Sequence, residues 1–207
     1  MSVRFDNRKP EVFKANVYFA TMIEKYFFNK WLDICPNHSI NIESWADAGC
    51  GNDGEFIAKG KTGGADYKVT GSFDGHDVSD HHLEMKWCSS QGKLSLKKYD
   101  LKAYVDQNAS ILFIYNTVKQ DNAKLKMPRP LPQDREKLKL VINNHIKLLE
   151  SKGQQFKWGI MWADRVKELY NADKWEPIPY MGNKPGVILK SKDFHEWFEE
   201  VDWVRHA

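Results

Sequence analysis

The chain has 207 residues, of which 42% are hydrophobic, and its formal net charge is only +3. This composition predicts one good hydrophobic core with room for an appended lobe. It excludes a helical membrane protein, because no apolar run approaches the ~20 residues of a bilayer span. Three cysteines without CxxC spacing argue against a zinc ribbon or a disulfide frame, and the polar N-terminus up to Pro10 is unlike a signal peptide. We therefore expect a cytoplasmic protein in a reducing compartment.

The first predicted element is an amphipathic helix over residues 10–34. Its apolar residues recur at three- and four-residue steps, and Pro36 closes it. Two short strands are predicted next, over residues 63–69 and 83–87. The stretch between them is polar and rich in Gly and Asp, which predicts an antiparallel hairpin that closes near residues 76 and 77.

Two carboxylates and a lysine fall on one polar edge of this hairpin. Glu84 and Lys86 share a face of their strand, whereas Leu83 and Met85 point to the other face. The pairing of the strands brings Asp66 opposite the neighbourhood of Glu84 and Lys86. Carboxylates bind hard cations such as Mg²⁺, which offset phosphate charge and lower the pKa of an attacking water, and an ammonium can orient that water. The cluster therefore indicates phosphodiester hydrolysis.

This arrangement resembles the PD-(D/E)XK nuclease superfamily, which contains many type II restriction endonucleases and Holliday-junction resolvases. The resemblance implies that Asp66 and Glu84 bind Mg²⁺, with Mn²⁺ tolerated, and that the Met85 backbone carbonyl is a further ligand. It also implies that Lys86 serves the attacking water. These residues are the predicted catalytic and metal-binding set.

The same resemblance covers about residues 10–118 and implies an α/β fold with a restriction-endonuclease-like core. That core consists of a helix, a mixed β-sheet with a central hairpin, a second helix and a further strand. Residues 94–107 suit the second helix, and the apolar run 111–115 suits the buried strand. A further acid from the first helix or from the loop before Asp66 is expected to complete the metal site, and the candidates are Glu24 and Glu55.

Two other acid-x-Lys triplets compete with the one that begins at Glu84. Residues 100–102 lie in a stretch of helical period and are interpreted as a solvated helix face. Residues 66–68 would be the true triplet if Asp53 were the leading acid. The cleaner strand alternation around Glu84 favours the first assignment.

A Pro-containing connection over residues 119–133 separates the predicted core, residues 1–118, from a C-terminal α/β extension, residues 134–207. Asp134 is the expected N-cap of a helix that runs to about Ser151 and is ended by Gly153. A strand over residues 156–162 follows. The last predicted element is a short amphipathic helix containing Phe194, Trp197, Phe198, Val201 and Trp203. We expect this extension to pack on the core, where it extends the sheet or supplies DNA-recognition or dimerisation elements.

Charge is unevenly distributed in a way that suits a polyanionic partner. Residues 41–90 hold four Lys or Arg against nine Asp or Glu, a net of −5, whereas residues 91–170 hold sixteen against eight, a net of +8. An acidic metal pocket followed by a basic surface is typical of a protein that binds nucleic acid. The predicted phosphate contacts are Lys93, Lys97, Lys98 and Lys102.

Two other motifs compete with the nuclease interpretation. Residues 47–56 fit GxGxxG between Gly49 and Gly54 and resemble the glycine-rich loop of S-adenosylmethionine-dependent methyltransferases. Residues 41–45 are a poor buried strand and later glycines interrupt any helix, so a surface loop is the favoured interpretation. The second motif is a cluster of residue types that bind transition metals: His76, Asp77, Asp80, His81 and His82. Because these residues are crowded at the predicted hairpin tip, a hydrophilic turn is the favoured interpretation.

The sequence therefore predicts a Mg²⁺-dependent endodeoxyribonuclease that acts on duplex DNA. A homodimer is the expected assembly, because two copies of such a fold can cut two strands. Two alternatives remain open besides the methyltransferase: a nuclease-like fold that binds DNA without cutting it, and a protein-interaction module that uses the Trp-rich C-terminus.

Overall fold

The chain contains both helices and strands and has the mixed α/β composition that the sequence predicts. The fold is a computed structural model that describes residues 9–34, 41–45, 64–73, 76–77, 81–88, 93–118, 125–153, 156–179, 182–190 and 193–201. The helices are α1 (Pro10–Ile34), α2 (Lys98–Asp106), α3 (Arg135–Glu150), α4 (Ala163–Asn171) and α5 (Phe194–Trp197). The strands are β1 (Asn41–Trp45), β2 (Tyr67–Thr70), β3 (Ser72–Phe73), β4 (His76–Asp77), β5 (His81–Cys88), β6 (Lys93–Lys97), β7 (Ala109–Asn116), β8 (Phe156–Met161), β9 (Glu176–Ile178), β10 (Lys184–Lys190) and β11 (Glu199–Val201).

The largest sheet is six-stranded and mixed, in the order β1-β2-β5-β7-β8-β11. Strands β5 and β7 run parallel, and the other neighbouring pairs are antiparallel. A parallel pair needs a crossover connection, and the chain makes it through β6 and α2. Strand β6 pairs with β10 in a separate three-stranded sheet, and β3 pairs with β4 in a short ladder.

Several predicted elements are confirmed. Helix α1 spans residues 10–34, and β7 contains the predicted run 111–115 with every residue buried. Asp134 caps α3, because its carboxylate accepts a hydrogen bond from the Lys137 N–H at 2.9 Å. Strand β8 occupies residues 156–161, and it joins β7 with β11 on its far side.

Other predicted elements are wrong in part. Residues 94–97 belong to strand β6, and the helix begins only at Lys98. Leu94 and Leu96 are buried at strand alternation and pair with β10, a partner from far along the chain that local periodicity cannot reveal. The predicted C-terminal helix ends at Trp197, and Val201 lies in β11. Trp203 lies outside the described residues.

The predicted closing point of the hairpin is also wrong. Phe73 pairs with His76 and Ser72 pairs with Asp77, so residues 76 and 77 are strand residues and do not form the turn. His81 and His82 begin β5. Alternating short strands with so many polar residues have no apolar pattern to mark them, which is why the segment was interpreted as a turn.

The described buried residues form two hydrophobic clusters on the two faces of the large sheet. Successive side chains of β7 lie on opposite faces of the sheet. Leu112 and Ile114 pack in the cluster that contains α1 and α3. Ile111 and Phe113 pack in the cluster that contains α2, α4 and α5. In the described chain, no helix is long and apolar enough to cross a membrane.

A buried histidine on α3 makes the stability of this core depend on pH. His145 is 6% exposed, and its ring lies 5.1 Å from the Phe19 ring and 6.3 Å from the Trp87 ring. Its Nε2 finds no hydrogen-bond partner among the described residues. Burial lowers the pKa of His145, and a hydrogen bond with the Leu125 backbone opposes only part of that shift.

Acid should therefore destabilise the fold through this residue. The pKa of His145 in the folded state lies below the unfolded value near 6.5. The stabilisation that the neutral imidazole gives the folded state is therefore fully present above pH 6.5 and is lost as the pH falls through the folded pKa. We expect His145→Phe to flatten the fall in unfolding free energy between pH 7 and pH 5 by up to about 1.4 kcal/mol per pH unit. Urea denaturation of both proteins at each pH measures this difference. Parallel curves for the two proteins would contradict it.

Candidate active site

Strand pairing places Asp66 beside β5. Tyr67 pairs with Leu83 in antiparallel register, so Asp66, one residue before β2, lies next to Glu84. The Met85 N–H donates a hydrogen bond to Asp66 Oδ2 at 3.0 Å. The Asp66 carboxylate is thereby tied to the backbone between Glu84 and Lys86.

The two oxygens of the Glu84 carboxylate have different surroundings. Oε1 accepts a hydrogen bond from the Tyr104 hydroxyl at 2.8 Å and is ion-paired with Lys86 Nζ. Oε2 is buried and has no hydrogen-bond partner among the described residues. The Glu84 side chain is 4% exposed, whereas that of Lys86 is 33% exposed. One oxygen is held in place, and the other remains available to a ligand.

Glu24 on α1 joins this cluster from a distant part of the chain. Burial raises the pKa of Glu24 to about 7, with Lys86 opposing the shift and Glu84 adding to it. The pKa of Asp66 is raised well above its ordinary value by burial, and next by the charges of Glu84 and Glu24, with Lys86 and the Met85 N–H opposing. These mutual influences place three carboxylates and one ammonium within electrostatic reach of one another.

The ammonium is more firmly protonated than an ordinary lysine. Burial lowers the pKa of Lys86, but the nearby charge of Glu84, followed by Tyr104 and Asp66, outweighs burial and raises the pKa well above its ordinary value. One such cation cannot neutralise Glu24, Asp66 and Glu84 together. The cluster therefore has an excess of buried negative charge once its acids ionise.

This donor set suits a hard divalent cation. Carboxylate oxygens are the ligands that Mg²⁺ and Mn²⁺ prefer, and Glu84 Oε2 is a buried oxygen to which no described residue donates. Asp66, Glu84 and Glu24 would hold the ion, and Met85, whose carbonyl is the further predicted ligand, lies between Glu84 and Lys86 on β5. Among the described residues, no three His, Cys, Asp or Glu side chains are already grouped closely enough to hold a metal ion. Ligation would therefore draw these side chains closer together.

The predicted phosphate contacts are surface lysines around β6 and α2. Lys93 is exposed at the start of β6. The other three form ion pairs: Lys97 with Asp100 at 2.9 Å, Lys98 with Asp173 at 3.3 Å, and Lys102 with Asp106 at 2.6 Å. The pairs of Lys98 and Lys102 are solvent-exposed, and such pairs contribute only about 0–1 kcal/mol, so a phosphate can replace their carboxylate partners; the Lys97 pair is half-buried.

Most residues of the competing motifs cannot be compared with the structure. Asp53, Glu55 and the glycine-rich segment 47–56 lie outside the described residues, as does Asp80. His82 has a structural partner, because its Nδ1 lies 3.0 Å from the Gln107 carbonyl oxygen and donates to it.

Sequence reasoning missed two residues of the site, Tyr104 and Gln107. The Tyr104 hydroxyl contacts Glu84, and Gln107 Oε1 accepts a hydrogen bond from the Ala65 N–H at 2.8 Å. In the sequence, Tyr104 occupies an apolar position of the predicted helix, and Gln107 ends that helix. The one available signal was a polar tip at a buried helical position, which needs a partner.

Comparison of the chain with protein-family models, with curated proteins and with solved structures gives no match. The function is therefore inferred from the geometry and charge of the cluster formed by Glu24, Asp66, Glu84 and Lys86.

The raised pKa of Glu24 predicts a stability change that needs no substrate. The folded pKa of about 7 exceeds the ordinary value of 4.5, so the stabilisation from the bound proton is full below pH 4.5 and is lost as the pH rises through 7. Glu24→Gln keeps the side chain neutral, and we expect it to raise the unfolding free energy at pH 8 by at most about 3 kcal/mol. The gain should be smaller at pH 5.

Urea denaturation at both pH values measures this gain. The matched control is Glu11→Gln, the same change at an exposed position of α1, where we expect no comparable gain. Equal stability of wild type and Glu24→Gln at pH 8 would contradict the placement of Glu24 among buried like charges.

Proposed function

We propose that the chain is a metal-dependent endodeoxyribonuclease of the PD-(D/E)XK type. The observation that carries the proposal is the cluster itself. Asp66 and Glu84 lie side by side across paired strands, Lys86 is ion-paired with Glu84, and Glu24 approaches from α1. Three acids and a lysine suit a divalent cation and an anionic substrate, because one oxygen of Glu84 is buried and no described residue donates to it.

The order of the elements supports a restriction-endonuclease-like core. Helix α1 is followed by the antiparallel strands β1, β2 and β5, then by α2 and by β7, which is parallel to β5. Helix, strands, helix, strand is the order that this core requires. In the proposal, β8 and β11 are additions to the edge of the core sheet.

The proposed reaction is hydrolysis of a phosphodiester bond. Water attacks phosphorus, a P–O bond breaks, and the departing oxygen takes up a proton. A divalent cation supplies charge neutralisation and a more acidic bound water. Asp66 and Glu84 hold that cation, and Glu24 adds a third carboxylate. Lys86 remains protonated, so it donates to the attacking water, and to phosphate oxygens only in the transition state, when negative charge develops on them.

Duplex DNA is the proposed partner because the cluster is followed by a basic segment. Residues 91–170 carry a net charge of +8, and they include Lys93, Lys97, Lys98 and Lys102 on β6 and α2. Helix α2 also carries Tyr104, which contacts Glu84. A backbone bound along this helix would therefore pass near the proposed site. A homodimer would allow cleavage of both strands.

The acids should be essential to cleavage and dispensable to folding. We expect Asp66→Asn and Glu84→Gln each to lower Mg²⁺-dependent nicking of supercoiled plasmid at least about 100-fold, because each removes a charged ligand. Asp164→Asn, at an exposed position on α4, is the control and should cleave like wild type. Activity in wild type that survives a chelator, or full activity in Glu84→Gln, would overturn the proposal.

Catalysis and DNA binding should respond to different lysines. Lys86→Met should lower cleavage about 100-fold or more while DNA affinity changes little, because its role is confined to the water and the transition state. Replacing Lys97 and Lys98 together by Ala should weaken binding to all sequences and reduce the log-log salt slope by up to about 0.9 per lost phosphate contact.

Gel-shift titrations in Ca²⁺ at several salt concentrations measure both effects. The control pair is Lys139→Ala with Lys147→Ala on α3, a helix packed on the opposite face of the sheet. A loss of affinity in Lys86→Met as large as in the Lys97 and Lys98 double variant would remove its catalytic assignment.

A further inference from the structure

Two polar side chains at the C-terminal end of α2 contact the segments that carry the acids of the proposed site: Tyr104 contacts the Glu84 carboxylate, and Gln107, the residue after the helix, contacts the Ala65 N–H. We propose that Tyr104 and Gln107 are positioning residues that fix the carboxylates of Glu84 and Asp66 in the orientation that binds the divalent cation. This inference rests on the proposed function and adds residues that its sequence motif does not contain. Neither residue is assigned to the chemistry itself.

Tyr104 holds the oxygen of Glu84 that a cation would not use. Its hydroxyl donates to Oε1 at 2.8 Å, and its side chain is 3% exposed, so no water competes freely for that bond. Lys86 donates to the same oxygen and lies 5.8 Å from the centre of the Tyr104 ring. Catalysis requires Lys86 to leave this oxygen for the water or the phosphate. Tyr104 is then the donor that keeps Glu84 oriented with Oε2 free.

Gln107 holds the backbone that leads into Asp66. Its Oε1 accepts from the N–H of Ala65, the residue before Asp66, and its own carbonyl accepts from His82 on β5. The approach is close at Gly64, because a Cβ built there would lie 2.5 Å from Gln107 Nε2. A side chain at position 64 would therefore displace the Gln107 amide from its present place beside Ala65. With the Met85 N–H on Oδ2, the bond to Ala65 fixes Asp66 from both sides.

The geometry of α2 explains why one helix can serve both acids. Tyr104 and Gln107 are three residues apart, so they project on the same side of the helix end. Leu101 and Tyr104 belong to the buried cluster beneath the helix, which anchors it to the sheet. Groups that orient metal ligands typically affect metal affinity or activity 10- to 100-fold when they are removed.

The test measures the binding of Mn²⁺ to the full chain. Electron paramagnetic resonance quantifies the free ion, and calorimetry measures the same Kd independently. We expect Tyr104→Phe to weaken the Mn²⁺ Kd about 10-fold or more. Its control is Tyr99→Phe, the same change on the same helix at a residue that is 52% exposed. Gln107→Met, which lacks the accepting oxygen, should weaken Mn²⁺ binding similarly. Gln107→Glu, which keeps an oxygen at that place, should bind Mn²⁺ about as tightly as wild type.

The outcomes separate this inference from the function on which it rests. If wild type does not bind Mn²⁺, or if Glu84→Gln binds as tightly as wild type, the proposed metal site fails and this inference fails with it. If wild type binds, Glu84→Gln does not, and Tyr104→Phe stays within twofold of Tyr99→Phe, the role of Tyr104 is overturned alone. An equal loss in Gln107→Met and Gln107→Glu overturns the role of Gln107. Thermal melts check folding, and if Tyr104→Phe does not fold, the Gln107 pair decides.

Discussion

The antiparallel register between β2 and β5 is the constraint on which the candidate site depends. Tyr67 faces Leu83 in that register, so Asp66 falls beside Glu84. Because side chains alternate between faces, a slip of one residue would turn Asp66 away from Glu84 and Tyr67 away from the core. Tyr67, Leu83 and Met85 are buried under α1. Exposing each would cost about 1.5–3 kcal/mol, so hydrophobic packing on one face enforces the placement of charge on the other.

The charge cluster is itself an unfavourable feature of the fold. Burial and mutual repulsion raise the pKa of both Glu24 and Asp66, and Lys86 opposes both shifts. Proteins tolerate such arrangements mainly where function requires them, because a more stable alternative is easily reached by substitution. The ion pair with Lys86 and the hydroxyl of Tyr104 offset the repulsion only in part, since they share a single oxygen of Glu84.

The parallel pairing of β5 and β7 brings α2 to the site. Parallel neighbours cannot be joined by a tight turn, so the chain must cross one face of the sheet between them. It crosses the face that carries Glu84 and Lys86, where α2 packs in the cluster with Ile111 and Phe113. The same crossover therefore closes the core, presents the lysines of β6 and α2, and brings Tyr104 to Glu84.

Elements with a local pattern can be identified from the amino-acid order alone. The period of α1, the apolar run of β7 and the Asp134 cap could each be identified because a single helix face, a fully buried strand or a capping carboxylate leaves a mark within a few residues. The alternation around Glu84 likewise placed Glu84 and Lys86 on one side of a strand.

Tertiary structure alone decided what depended on distant partners. Strand β6 is a strand because β10 pairs with it, and no residue near Leu94 or Leu96 reports that partner. Glu24 carries no local sign that it lies near Asp66 and Glu84, and the packing of α1 on the sheet brings it into the field of both, whereas Glu55, the other candidate, lies outside the described residues. Tyr104 and Gln107 carry no motif, because a hydrogen bond between chain-distant groups is determined by how helix and sheet pack and not by the spacing of residues along the chain.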